Sequence, residues 1–279
     1  MAAISAIAQN KLTKEYKFGK ITSIEASSVY DIEVTQGNSG TVKVVYDEFF
    51  KDRLMVNYIN GKLNLEVAST KMRNNNRNIE GIKVYLQMPT IEDLDLSGAS
   101  SLKASGSFQT DELDIETSGA SSISGLVISG NDLSLDCSGA STLNLKGDFK
   151  TIEAEISGAS EIVLNSNSTV FEGEFSGAST VKVYGDHKNT DVVCSGASNL
   201  TLEGKTDYIK SVTTGASNLK AQEFTALNGY AQVSGASNAK VRCTGDLKIM
   251  VGRASKLTYY GNPNIINLNT DNNIKKGDD

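Results

Sequence analysis

Apolar and polar residues alternate along most of this chain, and the alternation is broken at regular intervals. In residues 141–160, STLNLKGDFKTIEAEISGAS, Leu143 and Leu145 alternate with polar neighbours, Gly147-Asp148 interrupts, and Ile152, Ala154 and Ile156 resume the pattern. Alternation with period two places successive side chains on opposite faces of a strand. The closing quartet, SGAS, recurs from Ser97, Ser118, Ser138, Ser157, Ser176, Ser195, Thr214 and Ser234, the seventh copy reading TGAS, and a degenerate Gly252-Arg253-Ala254-Ser255 follows. Steps of 21, 20, 19, 19, 19, 19 and 20 residues, then 18, define a repeat of two strands and two or three corners.

A repeat of that size predicts an all-β fold, a parallel β-helix of about 19–21 residues per coil stacked at about 4.8 Å. Two apolar columns can be followed through the copies. One is Leu102, Ile123, Leu143, Ile162, Val181, Leu200, Leu219, Ala239 and Leu257; the other is Leu96, Thr117, Cys137, Ile156, Phe175, Cys194, Thr213 and Val233. Within the quartet, Gly supplies a corner angle closed to other residues, Ala suits a place with no room, and serines bond nearby backbone.

Residues 93–262 carry the repeat, and residues 11–92 form a β-rich N-terminal part of the same domain. There Val29, Ile32 and Val34 precede a turn at Gln36-Gly37, with Val42, Val44 and Tyr46 beyond it. Leu54, Val56 and Tyr58 lead into Asn60-Gly61 and then Leu63, Leu65 and Val67, a hairpin signal. A polar loop, Asn74-Asn75-Asn76, precedes Ile82, Val84, Leu86 and Met88-Pro89. These strands are expected to cover or extend one end of the stack, where bare edges would recruit other chains. Residues 263–279 read as a last strand and a polar tail, frayed from Lys275 to Asp279.

Composition narrows the function. No apolar run is long enough to span a bilayer. A net charge of −6 argues against nucleic acid as a partner. Residues 1–10, MAAISAIAQN, end in Ala6-Ile7-Ala8, the small-residue pattern of a secretory cleavage site, and are expected to be a leader remnant or a flexible N-terminus. Cys137, Cys194 and Cys243 are expected to be buried free thiols: the first two stand three coils apart, about 14 Å, too far for a disulfide.

Charge is the one pattern that points to chemistry. Two outward columns precede the quartets: Asp95, Glu116, Asp136, Glu155 and Glu174, ending at Val193, and Asp93, Asp114, Ser134, Glu153, Glu172 and Asp191. Ten of these twelve positions are carboxylates. Two unit charges 4.8 Å apart repel by about 0.9 kcal/mol even in water's dielectric, so the stripe is costly. It reads either as a solvated face that blocks sheet aggregation or as a docking face for Ca²⁺ or a cationic partner. The other sheet shows Lys103, Lys182, Lys220 and Lys240 beside Ser198-Asn199 and Ser217-Asn218, a polar surface open to water or to a glycan. A stripe of quartet hydroxyls is a further candidate face.

Several motifs together resemble the bacterial head GIN domain family, named for auto-transporter adhesin heads. They are VTQG (34–37), INGKLNLEV (59–67), Met88-Pro89, the serial SGAS coils and SKLTYYGNP (255–263), and the resemblance spans about residues 18–269. It implies a right-handed single-stranded β-helix in an exported envelope protein of Gram-negative bacteria, placed in the periplasm, on the surface or outside the cell. It carries no catalytic residues.

The expectation is therefore a non-enzymatic surface or envelope protein, an adhesin or binding module for a glycan, cation or envelope protein, with no catalytic residue and no assigned metal or cofactor beyond Ca²⁺ at the acidic ladder. Two alternatives stand beside it. One is a polysaccharide lyase or hydrolase on the same scaffold, against which the carboxylates stand without interleaved bases and the lone His187 sits in a corner, YGDHKNT, expected to be solvated. The other is a structural spacer.

Overall fold

The computed structural model describes residues 11–68, 81–268 and 273–278. The leader-like segment 1–10, the loop at Asn74-Asn75-Asn76 and the last residue of the tail lie outside them. Nearly everything described is strand, with a single 3₁₀ turn at Glu48–Phe50. The chain winds through about nine turns of about 19 residues, a β-solenoid.

Each turn contributes one strand to a front sheet and one to a back sheet, and both are parallel. The front sheet stacks the strands that lead into the quartets: Asp93–Gly98, Glu112–Thr117, Asp132–Cys137, Thr151–Ile156, Ser168–Phe175 and His187–Cys194. The back sheet stacks those that follow, including Ser101–Ser105, Ser122–Ser129, Thr142–Lys146, Glu161–Asn165 and Thr180–Tyr184. Both expected columns are in register, step by step: Ile123 faces Leu102 and Leu143, Leu143 faces Ile162, and so on to Leu257, each 0–1% exposed. Like residues stack on like, so a narrow core fills with aliphatic side chains and forms one continuous cluster.

The quartet corner explains its glycine. From Gly98 to Gly235 these glycines have φ between +66° and +75°. A Cβ there would lie 2.3–2.7 Å from a carbonyl oxygen of the coil below. The N–H of the following alanine donates to the glycine carbonyl one coil earlier at 2.7 Å, from Ala120 to Ala236. The expectation that Ala fills the tight place is reversed. Ala is exposed, and the fourth residue, Ser, is buried from Ser100 to Ser255 at 0–2% exposure. A left-handed glycine swings the next Cβ outward and the one after it inward. Ser121, Ser141 and Ser160 then donate Oγ–H to the carbonyls of Ser118, Ser138 and Ser157 at 2.7, 2.6 and 2.9 Å, which lets a polar side chain occupy the interior.

At the N-terminal end, stack order departs from chain order. Ser23–Ser28 and Tyr30–Gln36 form a coil directly on Asp93–Gly98 and Ser101–Ser105. The chain then leaves, runs outward as Thr41–Asp47 and Leu54–Ile59, and returns as Lys62–Val67 and Ile82–Met88 to make a further parallel coil on the outer side of the first, beneath those antiparallel strands. The strands flanking Gln36-Gly37 are therefore not partners. The Asn60-Gly61 hairpin is formed as expected, with φ of 50° and 91° as a type I′ turn requires. Antiparallel Lys11–Lys17 finishes the back-sheet edge with three lysines and a glutamate among seven residues, a charged edge that discourages further pairing. At the other end Ile274–Lys276 pairs with Lys256–Tyr260, so Lys275 and Lys276 continue the stack rather than fray.

Candidate functional faces

The acidic columns sit where the alternation places them, on the outward side of the front sheet. Glu116 is in register with Asp95 and Asp136, and Glu155 with Asp136 and Glu174. Asp93 faces Asp114, Glu153 faces Glu172, and Glu172 faces Asp191. Asp93, Asp95, Asp114 and Asp191 are half-buried, whereas Glu116, Asp136, Glu153, Glu155, Glu172 and Glu174 are exposed. Burial is the first cause that raises the Asp95 carboxyl above its usual range, with Glu25 and Glu116 adding repulsion.

Glu25 is a member of the stripe that the repeat pattern hides. The coil of Ser23–Ser28 carries no SGAS, yet its register puts Glu25 directly on Asp95. The available signal was SIEASS (23–28), which keeps the inward Ile24 and Ala26 around Glu25 and places Ser28, at φ 121°, where Gly98 follows.

Lysines close the stripe at both ends. Lys62 Nζ lies 3.2 Å from Glu25 and 3.1 Å from Asp93, one ammonium gripped by two carboxylates. Burial alone would lower the Lys62 pKa, but its hydrogen bonds to Asp93 and Glu25 outweigh that and raise it. At the far end Lys210 Nζ meets Asp191 at 2.6 Å, and that bond raises the Lys210 pKa. A shallow recess of about 230 Å³ opens between, lined by Glu153, Glu155, Glu172, Glu174, Asp191 and Lys210. Among the described residues, no three carboxylate, histidine or cysteine side chains converge on a point where a metal could sit. Strand spacing holds the columns as parallel rows, whereas Ca²⁺ needs oxygens gathered around one centre.

The other expected faces change. The serine hydroxyls of the quartet's fourth position point inward, so they offer no stripe to a ligand. Ser198 and Ser217, expected on the back sheet, are buried for the same reason. Asn199, Asn218 and Asn238 bond one another in a ladder, at 3.0 and 3.2 Å, which uses part of their capacity within the wall. Lys103, Lys182, Lys220 and Lys240 do face outward, with Lys182 reaching Glu161 at 3.9 Å.

His187 is not the solvated corner residue its neighbours suggested. It is 3% exposed, its ring stacks on Phe171 at 5.1 Å, and Nδ1 lies 2.7 Å from Ser168 Oγ. Burial pushes its pKa down to about 4. A hydroxyl beside an imidazole is the beginning of a nucleophile and base, but Nε2 is buried without a partner among the described residues. Among the described residues no carboxylate is hydrogen-bonded to the ring, and Asp186 turns to Lys205 at 3.4 Å. Cys137, Cys194 and Cys243 are free and buried; burial raises the first two thiols to about 11 and about 12, which keeps them protonated.

The stacked coils present a charged front face and, among the described residues, no cluster of three His, Cys, Asp or Glu that could hold a metal. The family "Putative auto-transporter adhesin, head GIN domain" matches residues 20–166 and 153–263, and the chain belongs to it. Among solved structures it resembles a "putative adhesin" from Parabacteroides merdae, at TM-score 0.57 and 14% identity over 97% of this chain and 98% of that one. A "putative adhesin" from Parabacteroides distasonis gives TM-score 0.59 and 15% identity over 96% and 97%. A "putative lipid binding protein" from the same species gives 0.51 and 18% over 97% and 98%. At such identities the likeness is one of fold. No curated protein matches the sequence. No helix among the described residues is long and apolar enough to cross a membrane.

Proposed function

We propose that this chain is a non-enzymatic binding module of the bacterial envelope, an adhesin-type solenoid whose acidic front face receives a cationic protein or peptide. The family supports an exported setting, and the leader-like Ala6-Ile7-Ala8 agrees with it. The observation that carries the choice of partner is Lys62, whose single ammonium bridges Glu25 and Asp93 across the two columns. The rest of the stripe repeats that two-column arrangement, and a strand or loop bearing several lysines or arginines would replace mutual repulsion with ion pairs. Rows of separate carboxylates suit spaced ammonium groups better than one hard cation.

The test is titration of the intact chain with hexalysine and, separately, with Ca²⁺. Binding of hexalysine that weakens steeply with salt, and that is lost in a Glu153→Gln, Glu155→Gln, Glu172→Gln, Glu174→Gln variant, is the expected result. Saturable Ca²⁺ binding below about 10 mM with a rise in melting temperature would replace the cationic partner by the metal. Indifference to both would leave the stripe as a solvated face on a spacer.

A further inference from the structure

A second candidate site lies at the corner opposite the quartets. In the upstream coils this corner is apolar inside: Phe149, after Gly147-Asp148, is 4% exposed. Backbone bonds then carry the same position through Ser168 to His187 and Thr206, one coil at a time. Polar side chains have taken the place of the phenylalanine, and above them the wall opens into a cleft of about 490 Å³.

Asp186, Lys188, Lys205, Asp207, Thr225 and Leu227 carry the argument for what this cleft takes. Its rim has two ammonium groups and two carboxylates, one pair already joined between Lys205 and Asp186. A balanced rim attracts neither a polyanion nor a polycation. Leu227 nevertheless stands 54% exposed on this rim. Apolar surface set among paired donors and acceptors matches a molecule that alternates C–H faces with hydroxyls. The walls are also firm: the corner is crossed by two unbroken strands, Asn199–Thr213 and Asn218–Val233, so the rim residues from Lys205 to Leu227 stand on strands rather than loops. The coil spacing is close to the length of one pyranose ring, so consecutive coils can each meet one ring of a chain running along the axis.

We propose that this cleft is a binding site for a neutral oligosaccharide, separate from the acidic front face. Leu227 packs against a ring face, while Lys188, Lys205, Asp207 and Thr225 exchange hydrogen bonds with hydroxyls. A shallow, open site of this kind binds weakly.

The experiment is NMR titration of the intact chain with maltotriose, cellotriose and chitotriose, with trigalacturonate as the charged comparison. Expected is millimolar binding of at least one neutral trisaccharide, about 1–10 mM, with shifts confined to the cleft. Leu227→Asp and Lys205→Met each weaken it at least about fivefold. Both variants keep the melting temperature and the hexalysine response of the parent, which separates failure here from failure of the front-face reading. No shift with any of the three at about 20 mM, shifts elsewhere, binding that survives both variants, or a preference for trigalacturonate would each overturn the proposal.

Discussion

Two stretches of the same solenoid share an interior and oppose one another in charge. Residues 91–204 hold 18 acidic and 5 basic side chains, a balance of −13, whereas residues 205–276 hold 10 basic and 4 acidic, a balance of +6. Inside, the columns run through both without a break: Leu143 and Ile162 in the first stretch and Leu219 and Leu257 in the second are 0–1% exposed in one register. The coil therefore constrains inward positions and corners, and leaves outward positions free. A charge asymmetry kept on free positions is where recognition can be written, and the overall charge of −6 conceals it.

The comparison breaks most severely if the shared frame is attacked. Gly158→Ala places a Cβ 2.3 Å from the Gly139 carbonyl at φ 68°, and should cost roughly 3 kcal/mol or more, read as a large fall in the chemical denaturation midpoint. Gly215→Ala in the basic coils, with φ 72° and a 2.5 Å approach, should cost a similar amount. Ala159→Ser, one residue from Gly158 and exposed, should stay within about 0.5 kcal/mol. Unequal losses at the two glycines would mean that the frames differ after all.

A smaller effect belongs to His187, one coil before the boundary between the stretches. Its folded pKa of about 4 lies below its unfolded value of 6.5, so between those limits the unfolded chain binds a proton that the folded chain refuses. Stability from this group is intact above pH 6.5 and falls as pH drops, by about 3 kcal/mol once pH reaches 4. Denaturation from pH 7 to 4.5 should show this slope in the parent and lose it in His187→Phe. An unchanged slope would assign the acid sensitivity to other groups.

The smallest effect concerns the free surface. Neutralising Glu153, Glu155, Glu172 and Glu174 to Gln should raise stability at low salt by on the order of 1–2 kcal/mol, with the gain shrinking as ionic strength rises. A salt-independent change, or a loss, would show that the carboxylates do more for the fold than repel.

Much of the architecture was legible because its determinants are local and repeated. Leu143, Leu145, Ile152 and Ile156 state a strand pair, the quartet states a corner, and the near-constant step states that one coil lies on the next. The same alternation placed all ten ladder carboxylates outward. What could not be read depended on contacts distant in the chain. Glu25 and Lys62 join the stripe only because Ser23–Ser28 pairs with both Asp93–Gly98 and Lys62–Val67. The fate of His187 turned on Phe171 and Ser168 in the coil below, and its polar neighbours in sequence suggested the opposite.

By itself the sequence determined the coil, its period, the stacked columns and the outward charge, since side chains of a strand alternate and an in-register stack repeats that choice from coil to coil. Only the tertiary structure decided that the N-terminal coils are laid down out of order and that the quartet buries Ser while exposing Ala. The same holds for Lys62, which closes the N-terminal end of the acidic stripe. Pairing partners far apart in the chain, and the direction in which a left-handed glycine sends the next side chains, set these outcomes, and local alternation carries no record of either.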